Sequence, residues 1–339
     1  MLVYAYWNNK GGTGKTSLNF QSILRYAQLN EEARILALDL CPQANLSELM
    51  LGGLVGKGSQ SLLQVQGQNP RATVGGYFQM RLPNPYTVPT IAPSSFIIHP
   101  ANYNTHVPDN VDLLAGDPLL ELQATAVSTL ANTQVPGHNS WLAVVDWLGD
   151  FLDTVQDDYD VAFIDCNPSF SIYTQIALSV ADRIVLPVMA DDSSRRALEN
   201  AFSLVYGLHL PSKIYAQHNF STRLTTAGRS LPKVHLVVKN RLTQYMGPAS
   251  AYSAVLQTID KRLKGLLGSH SDLFTFKKVK NGVCEMRDFG TTGVVAFARG
   301  QAFADIEAKR HNISGRRVTV KEEYRKNAEI AVDGLVAML

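Results

Sequence analysis

Apolar and polar positions along the chain alternate between two periods. Leu2 to Trp7 is an unbroken apolar, β-rich run and reads as a buried strand. Past the glycines at 11–14, Leu18, Ile23, Leu24 and Ala27 recur at helical spacing, so a helix is expected over Ser17 to Leu29. Ile35 to Asp39 is a second apolar run, and it ends in an acid. Val161 to Asp165, Ile184 to Val188 and Val234 to Val238 repeat the strand pattern, with helical stretches expected at about 139–156, 171–181 and 194–207. The final stretch, about 319–338, carries Val320, Tyr324, Ala328, Ala331, Leu335 and Met338–Leu339 as an apolar stripe and reads as a core-packed helix. Strands alternating with helices in this way predict an α/β fold with a mainly parallel sheet flanked by helices.

The stretch from about 54 to 108 breaks the pattern. It is rich in proline, glycine and amide residues, and its only charged residues are Lys57, Arg71 and Arg81. It reads as an insertion of short strands or turns within one domain spanning 1–339, since a loop of such length in a compact domain is usually functional.

Composition narrows the class. Of 339 residues, 45% are hydrophobic and 18% charged, which excludes a disordered or collagen-like chain. Three cysteines cannot build a disulfide framework. No apolar run approaches the ~20 residues a membrane span needs, and no signal peptide is evident, so a cytoplasmic setting is expected. The eight histidines show no spacing that suggests a zinc site, and no G-x-S-x-G nucleophile signature occurs. The net charge of +2 hides an asymmetry. Residues 1–208 hold ten Lys+Arg against nineteen acids, a net of −9. Residues 209–339 hold 21 against 10, a net of +11, so the C-terminal third is basic.

The richest chemistry lies in Lys10-Gly11-Gly12-Thr13-Gly14-Lys15-Thr16-Ser17, between the first strand and the first helix. Phosphate oxygens need several N–H donors converging on one point; glycines let the backbone curl to supply them, and a helix N-terminus adds its dipole. Lys15 is placed to reach terminal phosphates, and the Thr16 hydroxyl to hold Mg²⁺. Asn9 stands where the ordinary G-x-x-x-x-G-K-[ST] pattern has its first glycine, so the pattern satisfied is K-G-G-x-G-K-T.

That motif resembles the deviant Walker A ATPases of the ParA/MinD group, P-loop NTPases, and most closely the ParA-type partition ATPases. Two further segments resemble the same family. Leu38-Asp39-Leu40-Cys41-Pro42-Gln43-Ala44-Asn45-Leu46-Ser47 is similar to its D-x-D-P-Q-x-N switch I, with Asp39 as the carboxylate near Mg²⁺. Val161-Ala162-Phe163-Ile164-Asp165 is similar to Walker B, with Asp165 holding the Mg²⁺ shell through water. The resemblance implies ATP and Mg²⁺ as cofactors. It implies a homodimer with ATP sandwiched between subunits, and Lys10 crossing to the partner's nucleotide. Catalysis then falls to Lys10, Lys15 and Asp39. Asn240 and Arg241 match the strand end that touches adenine, with 286–289 or 290–293 completing the base pocket.

One position departs from the family. Cys41 stands where the family has an acid beside the attacking water. Slow hydrolysis is therefore expected, with Asp191 or Asp192 as candidate substitutes and an ATP-locked scaffold as the alternative. Cys41 and Cys166 both follow site acids and read as small buried residues rather than as a redox pair. The family's work implies positioning of DNA or other cargo. Non-specific DNA would bind through the C-terminal third at the nucleoid, with an adaptor or centromere-binding protein as partner. A MinD-like membrane role is disfavoured, because Glu322, Glu323, Glu329 and Asp333 oppose Arg325 and Lys326 on the last helix.

Overall fold

The computed structural model describes residues 1–189, 191–242 and 251–339. Ten strands occur among them: β1 (Leu2–Tyr6), β2 (Ile35–Asp39), β3 (Ile97–Ile98), β4 (Val111–Leu114), β5 (Val161–Asp165), β6 (Arg183–Met189), β7 (Lys233–Leu242), β8 (Val283–Arg287), β9 (Arg310–Ile313) and β10 (Arg316–Thr319). The first eight form one sheet in the order β3-β4-β2-β5-β1-β6-β7-β8. All its pairings are parallel except β3 with β4. β9 and β10 form a separate antiparallel hairpin, whose turn residues Ser314 and Gly315 both have positive φ, 50° and 82°. Such a turn matches the twist of the strands it joins.

Alternation decides which side chains meet which layer. Along β1, Val3 and Ala5 face one core and Tyr4 and Tyr6 the other. A parallel sheet buried on both faces needs two helical layers. One holds the helices Val74–Arg81, Leu119–Asn132, Ser140–Val145, Trp147–Asp153, Ile172–Val180, Asp192–Tyr206 and Ala251–Ser269. The other holds Lys15–Leu29, Asn45–Met50, Gly58–Gln66, Gly290–Arg299 and Glu322–Val336.

The proline-rich stretch departs from expectation. Besides two 3₁₀ turns and the two-residue β3, it forms helices Gly58–Gln66 and Val74–Arg81. Leu62 and Val65 of the first enter one core; Val74, Tyr77 and Phe78 of the second enter the other. The stretch thus wraps the β3–β4 edge and contributes to both layers. Two of its three charges anchor it, while Lys57 is exposed. Arg81 is buried, donates to Asp150 at 2.6 Å and to the Tyr77 hydroxyl at 3.0 Å, and lies over the Trp147 ring. Arg71 pairs with the buried Asp117, which also accepts from Thr73 at 2.6 Å.

The last helix packs against the core as expected, but its stripe is rotated. Ala328, Val332, Leu335 and Val336 are buried, whereas Tyr324 is exposed. Arg25 of the first helix pins it through Asp333, Nε to Oδ1 at 2.5 Å. No helix among the described residues is long and apolar enough to cross a membrane.

Asp150→Ala would strand the Arg81 guanidinium in the core. A loss of about 3–5 kcal/mol is expected, read as a lower urea midpoint with an unchanged slope. A loss below about 1 kcal/mol would show that Arg81 is solvated.

Candidate functional site

The strand order places three chain segments at one point. β1 lies between β5 and β6, while β2 lies beyond β5, so the connection after β1 crosses over β5. Register then sets Tyr6 beside Asp165 and Asp165 beside Asp39, all at carboxyl ends. In open α/β sheets, ligands bind outside such strand ends, where the order reverses.

The loop after β1 has a conformation that its glycines allow. Gly12 and Gly14 sit at φ 73° and 84°, and Gly14 begins the helix Lys15–Leu29. Gly14 is needed for a second reason: a Cβ there would lie 2.2 Å from Asn240 Nδ2. Asn8 fixes the front of the loop, donating to the Pro187 carbonyl at 2.7 Å and accepting from Lys10 N–H at 3.0 Å. Asn240 fixes its back, donating from Nδ2 to the Thr13 carbonyl at 2.9 Å. Lys15 curls over the loop toward the Lys10 carbonyl at 3.4 Å. Ser17 is half-buried in the first helical turn.

Beneath the loop lies a cluster of buried charges. Thr16 Oγ1 donates to Asp165 Oδ2 at 2.7 Å, while Asp165 Oδ1 is buried with no protein partner. Asp39 accepts from Ser47 N–H at 2.9 Å, Ser47 Oγ at 2.8 Å and Cys41 N–H at 3.1 Å. Ser47 in turn accepts from Gly116 N–H at 2.8 Å. Burial pushes the Asp165 carboxyl up to about 8, with repulsion from Asp39 adding to the rise. Burial raises Asp39 to about 6 against the hydrogen bonds it accepts from Ser47 and Cys41. Burial lowers Lys15, partly offset by Asp165. Hydroxyl plus carboxylate, with one carboxylate oxygen uncommitted, is a donor set that suits Mg²⁺ completed by water and phosphate oxygens. Among the described residues no cluster of three or more His, Cys, Asp or Glu offers an all-protein metal site.

The remaining candidates divide. Lys10 is ion-paired with Asp191 of its own chain, so Asp191 is engaged with a lysine; the Asp192 side chain lies outside the described residues. Cys41 is buried, and burial pushes its thiol up to about 12, so it is neutral near pH 7. Arg241 is exposed at φ 57°. Just beyond it, Leu242, Arg287, Asp288, Phe289, Gly290 and Thr291 line a cavity of about 380 Å³ against the last helix. Met286, grouped with these in the sequence, instead points into the core. Ser47, Gly116 and Asn8 went unassigned from sequence. Ser47 lies within the motif read there, but its bond to Asp39 depends on a chain reversal through Ala44, at φ 51°. Gly116 is distant in sequence and has no local signature.

Residues 1–210 match a family model described as an AAA domain. An uncharacterised protein of Mycobacterium tuberculosis is 28% identical over 199 residues, 58% of this chain and 49% of that protein, so the chain spans about half of that relative. Three solved structures share the fold. An ATP complex of a Cyanothece McdA variant aligns with TM-score 0.62 at 14% identity, over 99% of this chain and 96% of that one. A plasmid partition protein from Borrelia burgdorferi aligns with TM-score 0.53 at 13% identity, over 100% and 99%. The pNOB8 ParA bound to nonspecific DNA aligns with TM-score 0.52 at 14% identity, over 85% and 86%.

Both buried carboxyls bind a proton more tightly in the folded chain than in the unfolded chain. That contribution to stability is complete below about pH 4 and is lost as pH rises through about 6 for Asp39 and about 8 for Asp165. Asp165→Asn is therefore expected to raise the ligand-free melting temperature at pH 8.5 and to lose that advantage by pH 4. An advantage independent of pH would contradict the assignment.

Proposed function

The chain belongs to the AAA domain family, and on that footing we propose that it is an ATP-binding, dimeric molecular switch of the ParA type with slow turnover. The observation that carries this reading is the Thr16–Asp165 bond at 2.7 Å beneath a glycine loop, with Lys15 above it. Gly11 to Ser17 would wrap the phosphates, and Lys15 would neutralise the terminal ones. Thr16 and Asp165 would hold Mg²⁺, which when bound supplies charge neutralisation on the phosphate oxygens. Asp39 would act from one step back: its carboxylate ties Cys41 and Ser47 into the segment facing the phosphates. Asn240 would set the loop while Arg241 and the cavity beyond Leu242 border the base.

Lys10 is the switching element of this reading. In the single chain its ammonium is held by Asp191. Exchange of that carboxylate for phosphate on a partner's nucleotide would tie dimer formation to ATP.

Cys41 argues for slow chemistry. A neutral buried thiol neither orients nor deprotonates a water as a carboxylate does. The same observation favours a second reading, an ATP-locked scaffold.

The basic C-terminal third is less uniform than its net charge. Arg325 is bound by Glu322 and Glu329, and Arg262 by Glu199. Exposed Lys261, Lys264, Lys277, Lys278 and Lys280 surround the helix Ala251–Ser269, which packs on one face of the sheet. Exposed Arg316 and Arg317 belong to the hairpin, packed on the other face. Sequence-independent DNA contact is assigned to the 261–280 patch.

Turnover should be slow in the unmodified chain and rise about 100-fold in Cys41→Asp, the lower range for a positioned carboxylate. Unmodified turnover at background, restored by the aspartate, selects the scaffold; no gain in Cys41→Asp removes Cys41 as the cause. With ATP present, log affinity for random duplex should fall with log salt, and replacing Lys277, Lys278 and Lys280 by Gln should flatten the slope by about 2–3. An unchanged slope would move the contact elsewhere.

A further inference from the structure

A second polar cleft lies away from the phosphate loop. It encloses about 820 Å³ and is bordered by residues 131–141, His218 and Arg223. Arg223 is its single permanently charged lining residue, and no carboxylate lines it.

Arg223 is held against an aromatic face. It sits on the helix Phe220–Thr226, half-buried, with its Cζ 4.3 Å from the centroid of the Trp141 ring. Arg81 finds Asp150 and Arg25 finds Asp333, whereas Arg183 lies over the Tyr4 ring and donates to the Tyr4 hydroxyl and the Leu339 carbonyl. Among the described residues, Arg223 has the ring face and no acid partner. Burial without a counter-charge lowers its pKa to about 10. Stacking leaves the edge of the guanidinium, with its forked donors, available.

A second group in the cleft is also unsatisfied. Ser140 is 4% exposed, and its hydroxyl is buried with no partner. Most buried hydroxyls find one. Three other polar groups of the wall are committed: Asn132 Nδ2 donates to the Ser128 carbonyl at 2.8 Å, Thr133 Oγ1 to the Thr129 carbonyl at 2.8 Å, and Asn139 Oδ1 accepts from Leu142 N–H at 3.1 Å; Gln134, His138 and His218 also line it.

We propose that this cleft is a binding site for a carboxylate, held by the Arg223 fork against the Trp141 face with the Ser140 hydroxyl as a second donor. A carboxylate is planar, carries one negative charge and accepts two parallel N–H bonds from one guanidinium. A phosphate dianion would leave half its charge unmatched by the single fixed cation.

The site is not isolated from the nucleotide loop. Trp141 packs edge-on against Phe220 at 6.0 Å, Phe220 against Phe170 at 5.9 Å, and Phe170 against Trp7 at 5.5 Å. Trp7 immediately follows β1, and Phe170 lies five residues past Asp165.

Tryptophan fluorescence is the direct readout, because Arg223 touches Trp141. Acetate and inorganic phosphate are titrated at constant ionic strength, with chloride as reference, into the full chain, Arg223→Gln, Ser140→Ala and Lys15→Ala. A saturable acetate response is expected, weakened about tenfold or more in Arg223→Gln and retained in Lys15→Ala. Ser140→Ala should weaken it severalfold with no change in melting temperature, which separates binding from folding. No saturable acetate response overturns the proposal. So does an acetate response that survives Arg223→Gln and vanishes in Lys15→Ala, which belongs to the phosphate loop. Equal acetate and phosphate affinities, both lost in Arg223→Gln, overturn the carboxylate preference.

Discussion

Two carboxylates and an ammonium buried together at the ends of three adjacent strands set the terms for the rest of the molecule. Asp39 and Asp165 are fully buried and Lys15 nearly so. Desolvated charges are costly unless paired and hydrogen-bonded. Ser47, Cys41 N–H and Thr16 meet part of that cost. Burial still raises both carboxyls above their ordinary range, so these bonds meet only part of it. The sheet exists in a form that forces the encounter, since parallel register brings Asp39 and Asp165 side by side.

That arrangement was legible where the physics is local. The β1–loop–helix unit, β2 and β5 have bounds close to those read from apolar runs, because buried parallel strands must be continuously apolar. Lys15, Thr16 and Asp165 converge as their spacing and strand-end positions imply. The parts that were not legible depend on distant partners. The family resemblance implies a base contact for Asn240; the bond from its amide to the Thr13 carbonyl, which only a glycine at 14 admits, has no sequence signature. Ser47 and Gly116 buttress Asp39 through a hydrogen-bond chain that no spacing announces.

Charge and proline content misled for a similar reason. The 54–108 stretch read as short strands or turns because Pro and Gly punctuate it, and β3 is such a strand, but Leu62, Val65, Val74 and Phe78 lie on helices and find core positions on opposite faces of the sheet. Tertiary burial overrode weak local propensity. The basic third sums to a large charge, but the fold distributes it over two faces and neutralises Arg262 and Arg325. Net charge constrains partners only after geometry has assigned each cation a side.

The central claim is that the Asp165 cluster is a cation and phosphate site held protonated until filled. Binding calorimetry with preformed MgATP, at pH 7 in two buffers of different ionisation enthalpy, tests it most directly. A ligating carboxyl must shed its proton, so a Mg²⁺-dependent net release approaching about one proton is expected. Heats that do not depend on the buffer, or a net uptake of protons, would contradict the account.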